Sequence, residues 1–390
     1  MTADRMRIAI VAGEESGDIL AADLVSALAK ESGKTIELSG VGGSHLQALG
    51  LDTIFDPGEI SLMGFSAVLA RLPQLHRRIS ATAEAVVASN PDCLITVDVP
   101  DFSLRVARKV RAADPSIPIV HYVCPSVWAW RPQRAVRMRK YVDHVLCILP
   151  FEVAELERLE GPSATYVGHR LAHDVGLSAA SERQRSAGPR SPGAEKTLLL
   201  LPGSRRGEVT KLLDPFRETV EILIARGMTP RLVIPTVAHV ADLVRERTAD
   251  WPIKPDIVLG SDAKYGAFAR ADAALAASGT VTLELALARV PTLACYKNDA
   301  LARLAYGMIH TWSASLPNLI ADRPVIPEFY DHFVRPGMLA RHLEQLAGDT
   351  PTRAAQMDGF DVIAAAMATQ RPSGEIAADA VLDTIGTHRG

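Results

Sequence analysis

At 390 residues the chain is longer than one ordinary hydrophobic core supports, so two domains of about 150–200 residues each are expected. Hydrophobic residues make up 48% and charged residues 22%, and 42 Lys plus Arg nearly balance 45 Asp plus Glu. This globular composition gives no support for a nucleic-acid partner. The four cysteines lie in apolar stretches without C-x-x-C spacing, which predicts buried thiols in a cytosolic protein without disulfides or structural zinc.

The N-terminal part of the chain alternates short apolar runs with helical patterns: a strand over 8–12, a helix over 19–30 and a strand over 36–41. Acidic residues follow the first apolar run closely, so the run is much shorter than the hydrophobic region of an export signal. It is therefore predicted to be a strand. The longest alanine- and leucine-rich region, 267–287, contains charged residues and is not predicted to span a membrane. The alternation is typical of βα units that form a parallel sheet.

The stretch 176–196 is rich in Ser, Ala, Gly, Pro and Arg and lacks apolar periodicity, which predicts an interdomain linker. A second βα series begins at residue 197. The predicted fold class is therefore α/β, with two doubly wound Rossmann-like domains, 1–175 and 197–336, facing a cleft and followed by C-terminal helices over 337–390. Ligands bind beyond the carboxyl ends of the strands in such sheets, so the loops after the strands are the predicted site.

The loop after the first predicted strand contains Gly13, Glu14, Ser16 and Gly17. Its two glycines and its serine allow a tight turn into a helix, where a sugar or a phosphate could bind. The alternative is a tight βα turn without a ligand. The loop lacks the G-x-G-x-x-G spacing, so no nicotinamide or flavin cofactor is expected.

Two loops of the second domain each join a predicted strand to a helix, with backbone N–H groups available to a pyrophosphate. Arg205 could neutralise a leaving diphosphate; Arg206 is the neighbouring candidate, and a solvated arginine at a helix start is the alternative. Glu284, one turn inside its helix, could accept hydrogen bonds from ribose hydroxyls or cap the helix. The first loop contains Gly203, Ser204 and Arg205, and the second contains Ser278, Gly279 and Thr280.

Asp98 ends the strongly apolar strand 93–97, where a carboxylate is well placed as a general base; a helix cap or a structural acceptor is the alternative. A nearby loop contains Ser126, Trp128 and Trp130, whose rings could stack on a sugar or anchor the core. The sequence has no Asp-x-Asp pair and its histidines are dispersed, so no catalytic metal is expected.

In the segment 60–78 the apolar residues would cover more than one face of a helix, and the segment ends in basic residues. This pattern predicts a surface that lies on a membrane or holds acyl chains, with burial in the first domain's core as the alternative. The residues of this predicted lipid patch are Leu62, Met63, Phe65, Val68, Leu69, Leu72 and Leu75.

Taken together, seven segments in this order and spacing resemble the lipid-A-disaccharide synthase family over most of the chain. The most specific is the Pro-Ser-Val-Trp-Ala-Trp-Arg run at 125–131. The departures are small: Cys124 stands where a serine is expected, Glu15 stands where a small residue is usual, and the predicted linker is long around residues 179–194. The segments are 11–18, 62–64, 98–102, 121–131, 201–205, 277–284 and 315–318.

The resemblance implies a GT-B fold and an inverting, cofactor-free transfer of 2,3-diacylglucosamine from its UDP derivative to 2,3-diacylglucosamine 1-phosphate. The products would be the β-1,6-linked lipid A disaccharide 1-phosphate and UDP. It implies Asp98 as the base, Glu14 as a further catalytic position, Arg205 as the diphosphate contact, and Glu284 and Asn318 as UDP-binding positions.

The resemblance also implies an acceptor- and lipid-binding first domain, a UDP-sugar-binding second domain, and a tail helix that crosses back onto the first. The expected location is the cytoplasmic side of the inner membrane, with peripheral attachment; the oligomeric state stays open, a homodimer included. A UDP-N-acetylglucosamine 2-epimerase-like enzyme, another GT-B glycosyltransferase and a silent nucleotide-sugar-binding module are the alternatives.

Overall fold

The computed structural model describes residues 4–60, 72–188, 190, 193–297, 307 and 309–389. The chain forms two compact units, one of residues 1–169 with 369–390 and one of residues 170–368. Each unit is built on one six-stranded sheet whose paired strands are all parallel. The predicted α/β fold with two doubly wound sheets is therefore confirmed.

The first unit has the strand order β2-β1-β3-β4-β5-β6, so the order reverses between β1 and β3. Its strands are β1 (Arg5–Ala12), β2 (Thr35–Val41), β3 (Cys93–Val97), β4 (Ile119–Tyr122), β5 (His144–Cys147) and β6 (Ser163–Tyr166). Its helices are α1 (Glu15–Ser32), α2 (Ser44–Ala48), α3 (Leu72–Ala88), α4 (Pro100–Ala113), α5 (Gln133–Met138), α6 (Glu152–Arg158) and the late α15 (Ser373–Arg389).

The second unit has the strand order β12-β11-β10-β7-β8-β9, and the order reverses between β7 and β10. Its strands are β7 (Lys196–Leu201), β8 (Pro230–Thr236), β9 (Asp256–Leu259), β10 (Ala273–Ala277), β11 (Thr292–Tyr296) and β12 (Glu328–Tyr330). Its helices are α7 (Val175–Ser186), α8 (Arg206–Ala225), α9 (Ala238–Thr248), α10 (Ser261–Phe268), α11 (Thr280–Leu287), α12 (Leu316–Ala321), α13 (Pro336–Ala347) and α14 (Pro351–Met367).

The central strands are mostly apolar and buried because helices cover both faces of each sheet. In β1, Ile8 and Ile10 enter one buried cluster, whereas Ala9 and Val11 enter another. All five residues of β3 and of β10 are buried. Such uninterrupted apolar runs are typical of parallel sheets and explain why the strands were visible in the sequence.

The stretch 176–196, predicted as a linker, instead contains most of helix α7 and the first residue of β7. The buried positions of α7 are Leu177, Ala180 and Gln184, a stripe too narrow and too polar to show apolar periodicity. The Gln184 amide donates to two backbone carbonyl oxygens of the same unit at 2.8 Å, and Asp174 caps the helix. Polar contacts therefore fix this helix where the hydrophobic pattern is weak.

The C-terminal helices are divided between the two units. Helices α13 and α14 belong to the second unit, whereas α15 packs against α1 in the first. Ala377, Ala378 and Val381 of α15 are buried in the same apolar cluster as β1. Among the described helices, none has the length and hydropathy that crossing a membrane requires.

Candidate active site

The second unit has a pocket of about 360 Å³ at the carboxyl ends of β7 and β10, where the strand order reverses. This is the position at which doubly wound sheets bind ligands, and the volume is that of a small-molecule site. The pocket brings together two loops that lie more than seventy residues apart in sequence. The predicted site residues that line it are Gly203, Ser204, Arg205, Ser278, Gly279, Thr280 and Glu284.

Two helices, α8 and α11, begin at this pocket, directly after Arg205 and Gly279. The first N–H groups of a helix have no intrahelical acceptor, and the helix dipole adds partial positive charge there. The guanidinium of Arg205, whose side chain is 63% exposed, adds a full positive charge. The arrangement suits a diphosphate because its negative charge would meet donors from both loops.

Gly203 is required by the local geometry of the first loop. Its φ is +107°, in the left-handed region, and a Cβ there would lie 2.3 Å from an oxygen of Glu208. Glu208 holds Arg205 through the Arg205 N–H at 3.3 Å and through its guanidinium at 3.1 Å. The glycine therefore makes room for the carboxylate that orients the arginine.

Lys264 of α10 is a pocket residue that the sequence did not reveal. Its Nζ lies 3.0 and 2.9 Å from the two carboxylate oxygens of Glu284. A lysine in the middle of a short helix carries no motif, and the pair joins residues of different helices. The contact keeps the Glu284 carboxylate at the pocket wall.

Asn318, expected among the UDP-binding residues, does not line this pocket. Its side chain is 1% exposed, and its amide makes four hydrogen bonds within the chain. It donates to Ile326 O and to Glu328, and it accepts from the N–H groups of Val325 and Ile326. These contacts make Asn318 a residue that positions the segment before and within β12.

In the first unit, Asp98 lies directly after β3, at the point where the strand order reverses. Asp98 and Val99 have φ of +50° and +43°, and a β-branched residue rarely adopts this conformation. Such strain costs about 1–3 kcal/mol per residue and concentrates at functional sites. The Ser103 hydroxyl, which hydrogen-bonds to the carbonyl oxygens of both residues, stabilises the turn.

The environment of Asp98 raises the pKa of its carboxyl group. Burial of the carboxylate is the main cause, and the hydrogen bond from Val99 N–H at 2.8 Å opposes it. A carboxylate whose pKa is raised accepts a proton more readily than an exposed one. Asp98 thus combines a raised pKa with a position at the carboxyl end of β3, where the strand order reverses.

The loop after β1 lies beside the loop after β3. A Cβ on Gly13 would lie 3.1 Å from Val99 Cγ2, and one on Gly17 would lie 3.4 Å from Val97 Cγ1. Glu14, half-buried, precedes α1, and Ser16 is exposed in its first turn. Glu14, Ser16 and Gly17 thus belong to the same switch point as Asp98.

The two tryptophans of the loop after β4 have different surroundings. Trp128 packs edge-on against Phe151 at 5.2 Å and donates its indole N–H to Glu152 at 3.4 Å, so it anchors the loop. Trp130 is half-buried beneath the guanidinium of Arg131, 4.9 Å from the ring centroid. Ser126 is exposed and accepts the Trp130 N–H on its carbonyl oxygen.

Glu152 is a buried carboxylate that the sequence did not distinguish from surface glutamates. It accepts hydrogen bonds from the N–H groups of Ile148 and Leu149 and from Trp128. With Cys124 and Cys147 it forms a buried group whose ligand atoms lie within 4.8 Å of one another. The hydrogen bond between the two thiols and burial raise the pKa of Cys124, so Cys124 is a neutral thiol at physiological pH.

Burial raises the pKa of Glu152 to about 7, from an ordinary value of 4.5. The folded state therefore retains a proton that the unfolded chain has lost. The stability that this proton contributes is complete below about pH 4.5 and is lost as the pH rises through about 7. We expect this group to lower the free energy of unfolding by about 3 kcal/mol across that window.

A Glu152→Gln variant should lack this part of the pH dependence in urea unfolding at pH 5 and pH 8. Glu155→Gln, on the same helix and paired with Arg158 near the surface, is the matched control and should keep the wild-type dependence. An unaltered pH dependence in Glu152→Gln would mean that Glu152 titrates normally.

The predicted lipid patch falls mostly outside the described residues. Leu62, Met63, Phe65, Val68 and Leu69 are not described, and for Leu72 only its place at the start of α3 is. Leu75 is partly buried and packs against the core of the first unit.

Comparison with known proteins relates the whole chain to one family. The family described as lipid-A-disaccharide synthetase matches residues 8–380. The chain belongs to this family. A lipid-A-disaccharide synthase of Rhodopseudomonas palustris strain HaA2 is 47% identical over 388 residues, covering 98% of this chain and 97% of that protein. One of Nitrobacter hamburgensis is 46% identical, with the same coverage.

Solved structures with little sequence identity have the same fold as this member of the lipid-A-disaccharide synthetase family. The S. aureus MnaA–UDP co-structure has a TM-score of 0.61 at 14% identity, covering 98% of this chain and 97% of that one. Acinetobacter baumannii MurG has a TM-score of 0.57 at 13% identity, covering 98% and 99%. The chain is a glycosyltransferase of the GT-B fold, and the family and fold expected from its sequence motifs are confirmed.

Proposed function

We propose that the chain transfers 2,3-diacylglucosamine from UDP-2,3-diacylglucosamine to 2,3-diacylglucosamine 1-phosphate, forming the β-1,6-linked disaccharide 1-phosphate and UDP. The main support is the pocket of the second unit, where two helix N-termini and Arg205 converge in a member of this family. The proposal assigns the donor to the second unit and the acceptor to the first.

At the donor, the bond between the sugar's anomeric carbon and the UDP oxygen breaks, and negative charge develops on the departing diphosphate. Arg205 and the N–H groups at the starts of α8 and α11 would stabilise that charge. These donors are in place before the reaction, so little reorganisation is needed as the charge develops. Glu284, held by Lys264, would accept hydrogen bonds from the ribose hydroxyls.

At the acceptor, the 6-hydroxyl oxygen forms the new bond to the anomeric carbon from the opposite face, which inverts the configuration. Its proton passes to Asp98, whose raised pKa suits this role. Glu14, Ser16 and Gly17 lie at the same switch point and would help to hold the acceptor sugar. Trp130, the less deeply anchored of the two tryptophans, would offer its ring to a sugar face, and Ser126 an adjacent hydroxyl.

Both proposed substrates are lipids, so the enzyme must reach acyl chains at a membrane surface. The apolar sequence 61–72, followed by the exposed basic residues His76 and Arg77 on α3, supports peripheral attachment to the cytoplasmic face of the inner membrane. Vesicle co-sedimentation would test this attachment directly.

The test of the proposed function is an assay of the purified protein in detergent micelles with both lipid substrates, followed by mass spectrometry. We expect a disaccharide phosphate to appear with one UDP released per turnover. A folded protein that binds UDP and releases none from the donor would contradict the proposal and favour a binding module. Interconversion of a UDP-sugar without an acceptor would favour an epimerase.

A further inference from the structure

The second unit has another concave surface at the carboxyl edge of its sheet, which we call the Trp312 groove. It has a volume of about 480 Å³ and lies at the end of β12. The titratable residues of its lining are Tyr330, Asp331 and His332, and apolar, aromatic and hydroxyl side chains form the rest. Three of its large apolar residues are Ile309, Trp312 and Phe333.

These three large apolar side chains are unusually open to solvent: Ile309 is 45% exposed, Trp312 55% and Phe333 62%. Eleven large apolar residues are exposed in the described part of the chain, and three of them line this one groove. Single exposed apolar residues are ordinary, but a concentration in a groove marks a binding surface.

The segment that presents Trp312 is held by a network of hydrogen bonds to Glu328. The Glu328 carboxylate accepts from the Ser313 hydroxyl, from Ala314 N–H at 3.1 Å and from Asn318 at 3.0 Å. The groove is therefore a formed surface, and Asn318 supports it from behind through Glu328.

The Trp312 groove is connected to the proposed donor pocket. The Ser278 hydroxyl, on the pocket wall, donates to the carbonyl oxygen of Ala314, on the groove wall, at 3.3 Å. The strands β12, β11 and β10 are neighbours, so their carboxyl ends lie within roughly 10 Å of one another. A sugar attached to a diphosphate in the pocket would thus have its substituents within reach of the groove.

We infer that the Trp312 groove binds an acyl chain of the donor lipid. The inference rests on the proposed function, because an acylated nucleotide sugar places a hydrocarbon chain next to a diphosphate pocket. Burial of the chain against Trp312 and Phe333 would remove apolar surface from water on both partners. The groove would then distinguish long-chain donors from short-chain ones, while the pocket binds the nucleotide alike in both.

The test compares donor binding by wild type, Trp312→Ser and Phe333→Ser, measured without acceptor in a fixed concentration of detergent. The probes are UDP-diacylglucosamine with long acyl chains, the diacetyl analogue and UDP itself. We expect wild type to bind the long-chain donor more tightly than the diacetyl one, and each variant to lose roughly tenfold for the long-chain donor only. Val362→Ser, at an exposed position of α14, is the control and should behave as wild type.

Equal affinities of wild type for the two donors would overturn the inference, as would equal losses for both donors or for UDP. Loss of binding to phospholipid vesicles, with the preference for the long-chain donor intact, would reassign the groove to the membrane surface. These binding results do not depend on turnover. Failure of the proposed function would instead appear as absent disaccharide from wild type supplied with both substrates.

Discussion

Asp98→Asn should reduce the rate of glycosyl transfer by about 10²- to 10⁴-fold while leaving UDP affinity unchanged. The asparagine keeps an oxygen that can accept the Val99 N–H at 2.8 Å, so the strained turn after β3 should persist. What is lost is a group able to take the proton of the acceptor hydroxyl. Single-turnover rates, UDP binding by calorimetry and circular dichroism measure the three parts of this expectation.

Asp101→Asn is the matched control, because Asp101 lies three residues away, is exposed, and pairs with Arg134. It should retain nearly full activity. An Asp98→Asn enzyme within threefold of wild type would exclude Asp98 as the base. Burial raises the pKa of Asp98. When the transfer rate is measured as a function of pH, its fall on the acid side should therefore occur at a higher pH than the titration of an exposed aspartate.

Arg205→Ala should weaken UDP binding by about 10- to 100-fold, the loss expected when a hydrogen bond to a charged group is removed. The effect should exceed that of a solvated arginine because the substitution also leaves Glu208 without its guanidinium partner at the pocket wall. A carboxylate that has lost its cationic partner would repel the diphosphate. Calorimetry with UDP and with uridine separates the diphosphate contribution from that of the nucleoside.

Arg206→Ala provides the comparison, since Arg206 is also exposed but is not part of the pocket wall. It should leave UDP affinity within about twofold of wild type because surface arginines contribute little. Equal losses of UDP affinity in Arg205→Ala and Arg206→Ala would mean that the total positive charge at the start of α8 contributes to binding, and not Arg205 specifically. Unchanged UDP affinity in Arg205→Ala would remove the assigned role altogether.

The location of the two loops that line the pocket of the second unit could be predicted because the strands of a parallel sheet have a recognisable sequence pattern. Buried strands are continuous apolar runs, and the glycines and serines after them mark turns at the carboxyl edge. The strands predicted before the two loops therefore placed residues 203–205 and 278–280 at such an edge. That the two loops form one pocket depends on strand order, which places β10 beside β7.

Contacts between distant polar residues could not be predicted in the same way. Lys264 and Glu284 meet across two helices, and Glu152 resembles any surface glutamate until the fold buries it. Asn318 shows the converse case: its motif pointed to a ligand contact, whereas its amide is occupied within the protein. Helix α7 was missed because Gln184 stands where an apolar residue would have completed the pattern.

The chain of the first unit is discontinuous, and this has a consequence for its synthesis. Residues 170–368 of the second unit leave the ribosome before α15, whose Ala377 and Val381 complete the core beside β1. Domains commonly fold as they emerge, N-terminal first. Here the second unit can finish folding while the first still exposes the apolar face of α1. We therefore expect the nascent first unit to expose apolar surface until α15 has been synthesised.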